Sequence, residues 1–466
     1  MKKGIVNMKI GFLPLYVKLY DDFTPKSRPR HEAFYEELAK IFEEKGAEVV
    51  RSPFCRLADE FKTAVDDFER QNVDAIVTLH MAYSPSLESV DALCNTSLPI
   101  VVFDTTSTFE FDNMQSPSEI TYCHGIHGVM DMCSMLTRRG KAYAIAAGHY
   151  KESDCMDRVL GYVRAAIAAK ALGSSRVAMF GGLFDGMGDF RVPHSEMLDR
   201  FGIRVFDKTP DEMRAYENSV TDEEINAEYA IDKERFDFDE SCGKEDYLLA
   251  LKSCLAVRKC VEKENLTAFT ANFRTIGTKA GINAMPFMEA CKGMERGIGY
   301  AGEGDPLTAA FTGALLKGYP ETTFAEIFCP DWKNDMIFLS HMGEVNYRII
   351  NSKPCVKRMG TRYDADGEIP IAAGARMKGG KAVFVNISRS KDDYKLLLSD
   401  VQMQDYDSDN FPMSVRGWMK LPTSCGEFLE KVSENGATHH SVVVYGTTAK
   451  ELEYFAKLIN VETVVI

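Results

Sequence analysis

The first third of the chain alternates short apolar runs with amphipathic stretches of helical period, and this alternation constrains the fold more than any other feature. Strand-like runs lie at Lys9–Leu13, Glu48–Arg51, Ala75–Leu79, Ile100–Phe103 and Ala142–Ala147. Between them, His31–Glu44 and Ala58–Gln71 carry apolar residues at three- and four-residue intervals, which sets one apolar stripe along a helix. Strand, helix, strand at this spacing predicts a parallel sheet, because each return to the same sheet edge needs a helical crossover.

A second unit of the same kind begins near Ser174-Ser175, with a strand at Arg176–Phe180. Helices are expected at Tyr247–Glu264, Pro286–Cys291 and Asp305–Leu316, and a strand at Ala268–Thr270. The stretch Asp207–Asp246 is acidic and polar and reads as a solvated helical excursion. From about Thr322 the character changes. Strand-like runs at Met336–Leu339, Ala382–Ile387, Tyr394–Leu398 and Ser441–Tyr445 alternate with Gly, Pro and Asp turns. The expected architecture is α/β: two doubly wound parallel-sheet domains over 1–172 and 173–320, then a mostly β, barrel-like domain over 321–466.

At 466 residues, 45% hydrophobic and 27% charged, the chain has ample core for several globular domains. Its net charge of -14 argues against nucleic acid or an anionic membrane as partner. A small neutral ligand suits it better. The 12 cysteines are scattered without C-x-x-C pairs and read as small buried hydrophobes. Met1-Lys2-Lys3-Gly4 leads straight into a strand rather than a signal peptide, and no apolar run approaches the roughly 18 residues of a membrane span. A reduced, cytoplasmic protein is expected. Gly181-Gly182-Leu183-Phe184-Asp185-Gly186 follows a strand but fits neither dinucleotide nor P-loop patterns. It reads as a tight turn, and a dehydrogenase is disfavoured.

The chemistry-bearing words lie in the last third. They are Gly302-Glu303-Gly304-Asp305, Thr323-Phe324-Ala325-Glu326, His341-Met342-Gly343-Glu344 and Gly436-Ala437-Thr438-His439-His440. Singly each is weak. A glutamate in a glycine-rich loop is usually just solvated, and a histidine beside apolar residues is usually a core residue. Adjacent strand residues face opposite ways, so only one of the doublet is expected to ligate. Together, two carboxylates and imidazoles suit a divalent transition metal and also provide a general acid and a general base. Asp305 is read either as a carboxylate supporting a metal ligand from behind or as a helix N-cap.

In order and wording these segments resemble the sugar isomerases of the L-arabinose isomerase and L-fucose isomerase superfamily, the arabinose side more closely. Gly299–Asp305 with Thr308-Ala309-Ala310 is similar to the segment around that family's first catalytic glutamate, and Thr323–Glu326 to the segment around its second. Further likeness lies in His80-Met81-Ala82-Tyr83-Ser84-Pro85, His127-Gly128, Gly148-His149-Tyr150 and Thr267–Phe273. The resemblance implies a metal-dependent aldose–ketose isomerase working through a cis-enediol. It implies a Mn²⁺ ion (Co²⁺ or Fe²⁺ as alternatives) on Glu303, Glu326, His341 and His440. Glu303 and Glu326 would be catalytic, with His127 presented to a neighbouring subunit's site and linked to ring opening. Tyr16, His80, Tyr83, Phe273, Phe328 and His439 would face the sugar, in a trimer or hexamer.

Two departures bear on the substrate. Where the family carries a glutamine after its first strand, this chain has Phe12-Leu13-Pro14-Leu15-Tyr16-Val17. Where it is tyrosine-rich after the second glutamate, this chain has Ile327-Phe328-Cys329-Pro330. A sugar other than L-arabinose is therefore expected. The alternatives are a sugar epimerase on the same site, or a non-catalytic sugar-binding or regulatory protein on the isomerase fold.

Overall fold

A computed structural model of the chain describes residues 6–360 and 367–466. Two compact units emerge: Met1–Ile167 with Glu453–Leu458, and Ala168–Leu452 with Ile459–Ile466. Among the described residues no helix is long and apolar enough to cross a membrane, and the cysteines are free.

The first unit holds five strands, β1 (Met8–Leu15), β2 (Ala47–Arg51), β3 (Ala75–His80), β4 (Ile100–Asp104) and β5 (Tyr143–Ala147). They form a parallel sheet in the order β2-β1-β3-β4-β5. Every residue of β3, Ala-Ile-Val-Thr-Leu-His, is buried, as expected of a central strand covered on both faces. Gly11 lets the helix Ala58–Arg70 lie close against β1, since a Cβ there would fall 2.6 Å from the ring of Phe68. Leu15 pairs with His80 at the carboxyl edge, beside the point where the strand order reverses.

The second unit opens with β6 (Arg176–Phe180) and β7 (Arg204–Lys208) and continues through a two-residue strand, β8 (Asp237–Phe238), to β9 (Ala268–Ala271) and β10 (Gly299–Gly302). Four of these form a second parallel sheet, β10-β9-β6-β7. The remaining strands are β11 (Thr322–Asp331), β12 (Met336–Ser340), β13 (Cys355–Arg358), β14 (Ile371–Gly374), β15 (Gly380–Arg389), β16 (Tyr394–Met403), β17 (Gly417–Lys420), β18 (His440–Tyr445) and β19 (Glu462–Val465). The order β15-β18-β11-β12-β17-β16 closes through a β15–β16 pairing, giving a six-stranded antiparallel barrel with β19 added in parallel to β16. Strands β14-β13-β8 make a small separate sheet. Ala325, Ile337, Leu339, Phe384, Leu397, Val401, Met419 and Val443 share one buried core. The α/β-then-barrel architecture expected from the sequence is what the chain adopts.

The acidic stretch after β7 departs from expectation. It is helical (Pro210–Asn218 and Asp222–Arg235), yet Glu217 and Asp232 are buried. Asp232 accepts from Lys292 Nζ at 2.6 Å and Tyr247 Oη at 2.8 Å. Glu217 accepts from Ser253 Oγ and Asn283 Nδ2. Charge-rich composition cannot show that partners for these acids lie 15 to 66 positions away.

Candidate active site

The site lies in the second unit, where the carboxyl end of the second parallel sheet meets the barrel rim. Strand β10 ends at Gly302, and the chain then reverses through Glu303 (φ 62°) and Gly304 (φ 84°). A left-handed glutamate costs on the order of 1–3 kcal/mol and persists only where its surroundings hold it. Here Phe184 N–H donates to the Glu303 carbonyl at 2.9 Å, and Gly304 N–H to Thr270 Oγ1 at 3.1 Å. A Cβ on Gly304 would lie 2.3 Å from the Gly182 carbonyl, so the approach requires glycine. Next in the chain, Asp305 caps the helix Pro306–Gly318, its Oδ1 accepting from Thr308 N–H at 3.0 Å.

The barrel supplies the other groups by register. Glu326 on β11 pairs with His440 on β18 and with Ser340 on β12, and His341 directly follows Ser340. Glu326 Oε1 is 2.9 Å from His341 Nε2 and 3.3 Å from His440 Nε2. His439 precedes β18 at a bend, so the alternation expected of two strand residues does not apply. Both imidazoles of the doublet face the site, with ring centroids 4.3 Å apart and His439 Nε2 3.5 Å from Glu303 Oε2.

Each imidazole is held from behind by a carboxylate. His341 Nδ1 lies 2.5 Å from Glu344 Oε2, and Glu344 also accepts from Tyr300 Oη at 2.8 Å and Gly343 N–H at 2.9 Å. His440 Nδ1 lies 2.9 Å from Asp305 Oδ2, so Asp305 is both cap and partner. His439 Nδ1 lies 2.6 Å from Asp189 Oδ2. These bonds place a proton on Nδ1 and turn Nε2 inward three times over.

Titration follows from this packing. Burial alone would raise Glu326, but the adjacent His341 and His440 imidazoles hold its carboxyl well below the usual range. Burial opposes charge on His341, and Glu344 and Glu326 overcome it, raising the ring to about 10. His439 also reaches about 10, Asp189 and Glu303 outweighing its burial. Asp189, raised by burial and lowered more by His439, falls to about 2.

Among the described residues, two groups of side chains have ligand atoms within 4.8 Å of one another: Glu326, His341 and His440, and Glu303, His439 and His440. His440 is common to both. Glu303 Oε2, Glu326 Oε1, His439 Nε2 and His440 Nε2 are buried without a hydrogen-bond partner. Orphaned atoms of this kind cost roughly 1–3 kcal/mol each unless something binds them. Two carboxylate oxygens and two imidazole nitrogens fit a divalent transition metal.

The residues expected around the sugar divide between the two units. Phe273, after β9, has its ring 5.1 Å from that of Phe184, whose amide holds Glu303. Phe328 is exposed on β11, just where the register with β12 shifts. Tyr16, His80, Tyr83 and His127 belong to the first unit. There Tyr16 is fully buried, its hydroxyl 3.2 Å from Ser27 Oγ, and Tyr83 is half-buried. His80 is buried with neither ring nitrogen hydrogen-bonded. His127 is exposed on the first turn of the helix Ile126–Arg138. Sequence reasoning missed Asp189, Phe190 and Tyr300 and gave Glu344 no role. Only Glu344, three residues after His341, left a local signal.

The sequence model of the L-arabinose isomerase central domain matches residues 193–317, and that of the L-arabinose isomerase C-terminal domain matches residues 321–462. The L-arabinose isomerase of Shouchella clausii is 24% identical over 98% of this chain and 93% of its own length. L-arabinose isomerase 2 of Bacillus licheniformis is 27% identical over 73% of each chain. Among solved structures, a periplasmic solute-binding protein from Actinobacillus succinogenes with bound D-allose covers 67% of this chain and 92% of its own at 14% identity. Its TM-score of 0.18 is too low to bear on the fold. These matched domains and relatives give the chain the aldose–ketose isomerase class. The chain belongs to the L-arabinose isomerase superfamily.

Proposed function

We propose that this isomerase is metal-dependent, and that Glu303, Glu326, His341 and His440 hold a Mn²⁺-type ion, with Co²⁺ or Fe²⁺ as alternatives. The observation that carries the reading is the set of orphaned atoms on Glu303, Glu326 and His440, beside the inward-facing His341 Nε2. A bound dication supplies Lewis acidity, polarising a sugar carbonyl oxygen and acidifying the neighbouring hydroxyl. The two carboxylates share the proton work. One takes the proton from C2 and returns it at C1; the other moves a proton between O1 and O2, through a cis-enediol. Glu344 and Asp305 keep His341 and His440 in fixed tautomers. His439, whose Nε2 also faces Glu303, meets a sugar hydroxyl. His127 assists ring opening from a neighbouring subunit in a trimer or hexamer, as the family resemblance implies.

The substrate is a sugar other than L-arabinose. The proton chemistry touches only C1 and C2, so the far end of the sugar can be read by other residues. Ile327 and Phe328 stand where the family pattern is more polar. An apolar wall tolerates a methyl group, whereas a wall built to hydrogen-bond a hydroxyl rejects sugars lacking it. The test is a panel of aldoses and ketoses incubated with Mn²⁺-loaded protein and read by chromatography. A deoxysugar or a differently configured sugar should give the highest kcat/KM. L-arabinose at the top of the panel would overturn the substrate assignment and leave the reaction class standing.

A further inference from the structure

The loop after β6, read from sequence as a simple turn, touches both halves of the site. Gly181 and Gly182 turn it with φ of 78° and 74°. Thr275 Oγ1 donates to the Gly181 carbonyl at 2.8 Å, and Asn272 Nδ2 to the Leu183 carbonyl at 2.8 Å. One residue on, Phe184 N–H donates to the carbonyl of the left-handed Glu303. Five residues further, Asp189 Oδ2 accepts both the backbone N–H of His439 at 2.9 Å and its ring Nδ1 at 2.6 Å. Phe190, 2% exposed, stacks on His440 with centroids 5.0 Å apart and planes 11° apart.

We propose that this loop is a clasp registering the Glu303 turn against the histidine doublet, and that Asp189 is its positioning residue. His439 sits at a bend outside the strand, so no ladder hydrogen bond orients it. One carboxylate oxygen binding both its amide and its ring leaves a single ring orientation. That orientation keeps Nδ1–H on Asp189 and turns Nε2 toward Glu303. The role in turnover rests on the function proposed above; the role in orienting the ring does not.

The experiment pairs a spectroscopic and a kinetic readout on the full chain. In histidine-¹⁵N-labelled, metal-free protein, a downfield Nδ1–H resonance that disappears in His439→Gln is expected. It should also be lost in Asp189→Ala and persist, shifted, in Asp189→Asn, which keeps an acceptor oxygen of the same shape. With Mn²⁺ and the best sugar of the panel, Asp189→Ala should lower kcat about 10- to 100-fold, the usual effect of removing a histidine's orienting partner, with KM within about 3-fold. Asp189→Asn should recover most of that loss. In a His439→Gln background Asp189→Ala should add nothing, because its effect runs through that ring. Mn²⁺ affinity followed by electron paramagnetic resonance should stay within about 3-fold of wild type, because His439 is not one of the four proposed ligands. A resonance surviving in Asp189→Ala, or additive losses in the double variant, overturns the proposal. So does a fall in Mn²⁺ affinity matching the fall in kcat. If no sugar is turned over at all, the functional reading fails while the resonance still judges Asp189.

Discussion

Asp305 joins two structures with one carboxylate: Oδ1 closes the amino end of the helix Pro306–Gly318 and Oδ2 meets His440 Nδ1 at 2.9 Å. The two roles separate by substitution. Asp305→Ala loses both and should lower stability by about 1 kcal/mol, the usual worth of a cap. It should also weaken Mn²⁺ binding about 10- to 100-fold, since His440 loses its orienting partner. Asn is an equally good cap, so Asp305→Asn should keep the melting temperature while still weakening the metal. Calorimetry and a Mn²⁺ titration read the two effects. Equal metal affinity in wild type and Asp305→Asn would show that the carboxylate charge does not act on His440.

Glu303→Gln and Glu326→Gln preserve shape but cannot carry a proton. Each should lower kcat by a factor on the order of 10²–10⁴. Circular dichroism should remain that of the wild type, because neither side chain belongs to the buried core. A variant retaining more than a tenth of wild-type kcat would remove that glutamate from the proton pathway.

His127 lies in the first unit and the metal-binding candidates in the second. If His127 serves a neighbour's site, a His127→Ala protein and a Glu303→Gln protein, each inactive alone, should regain partial activity after subunit exchange. Labelled subunits can verify the exchange. Exchange without rescue would confine His127 to its own chain or to no catalytic role.

Burial pushes His80 down to about 3 from the ordinary 6.5. Between those values the unfolded chain binds a proton that the folded chain does not. Stability is therefore fully present above about pH 6.5 and is lost as pH falls toward 3, by at most about 1.4 kcal/mol per pH unit for this one group. Urea midpoints at pH 7 and pH 5 should differ more in wild type than in His80→Gln, which cannot titrate. Parallel shifts in the two proteins would assign the pH dependence to other groups, such as His31, which burial lowers to about 4.

Periodicity alone placed the strands of the first sheet and helices such as Arg28–Glu44 and Lys244–Lys263, because a two- or 3.6-residue apolar repeat is a local property of the chain. It missed β10, Gly-Tyr-Ala-Gly, whose two glycines disguise a buried strand of four residues. Four motifs likewise marked Glu303, Glu326, His341 and His440, since each lies in a distinctive local word. What faces those residues was decided only by the tertiary structure. Glu326 meets His440 through the register of β11 with β18, and Asp189 meets His439 across 250 positions. Both histidines of the doublet turn inward because a bend, not a strand, precedes His440. A pairing of that kind depends on which elements pack together. No short stretch of sequence contains both partners, so only the folded chain could bring them into contact.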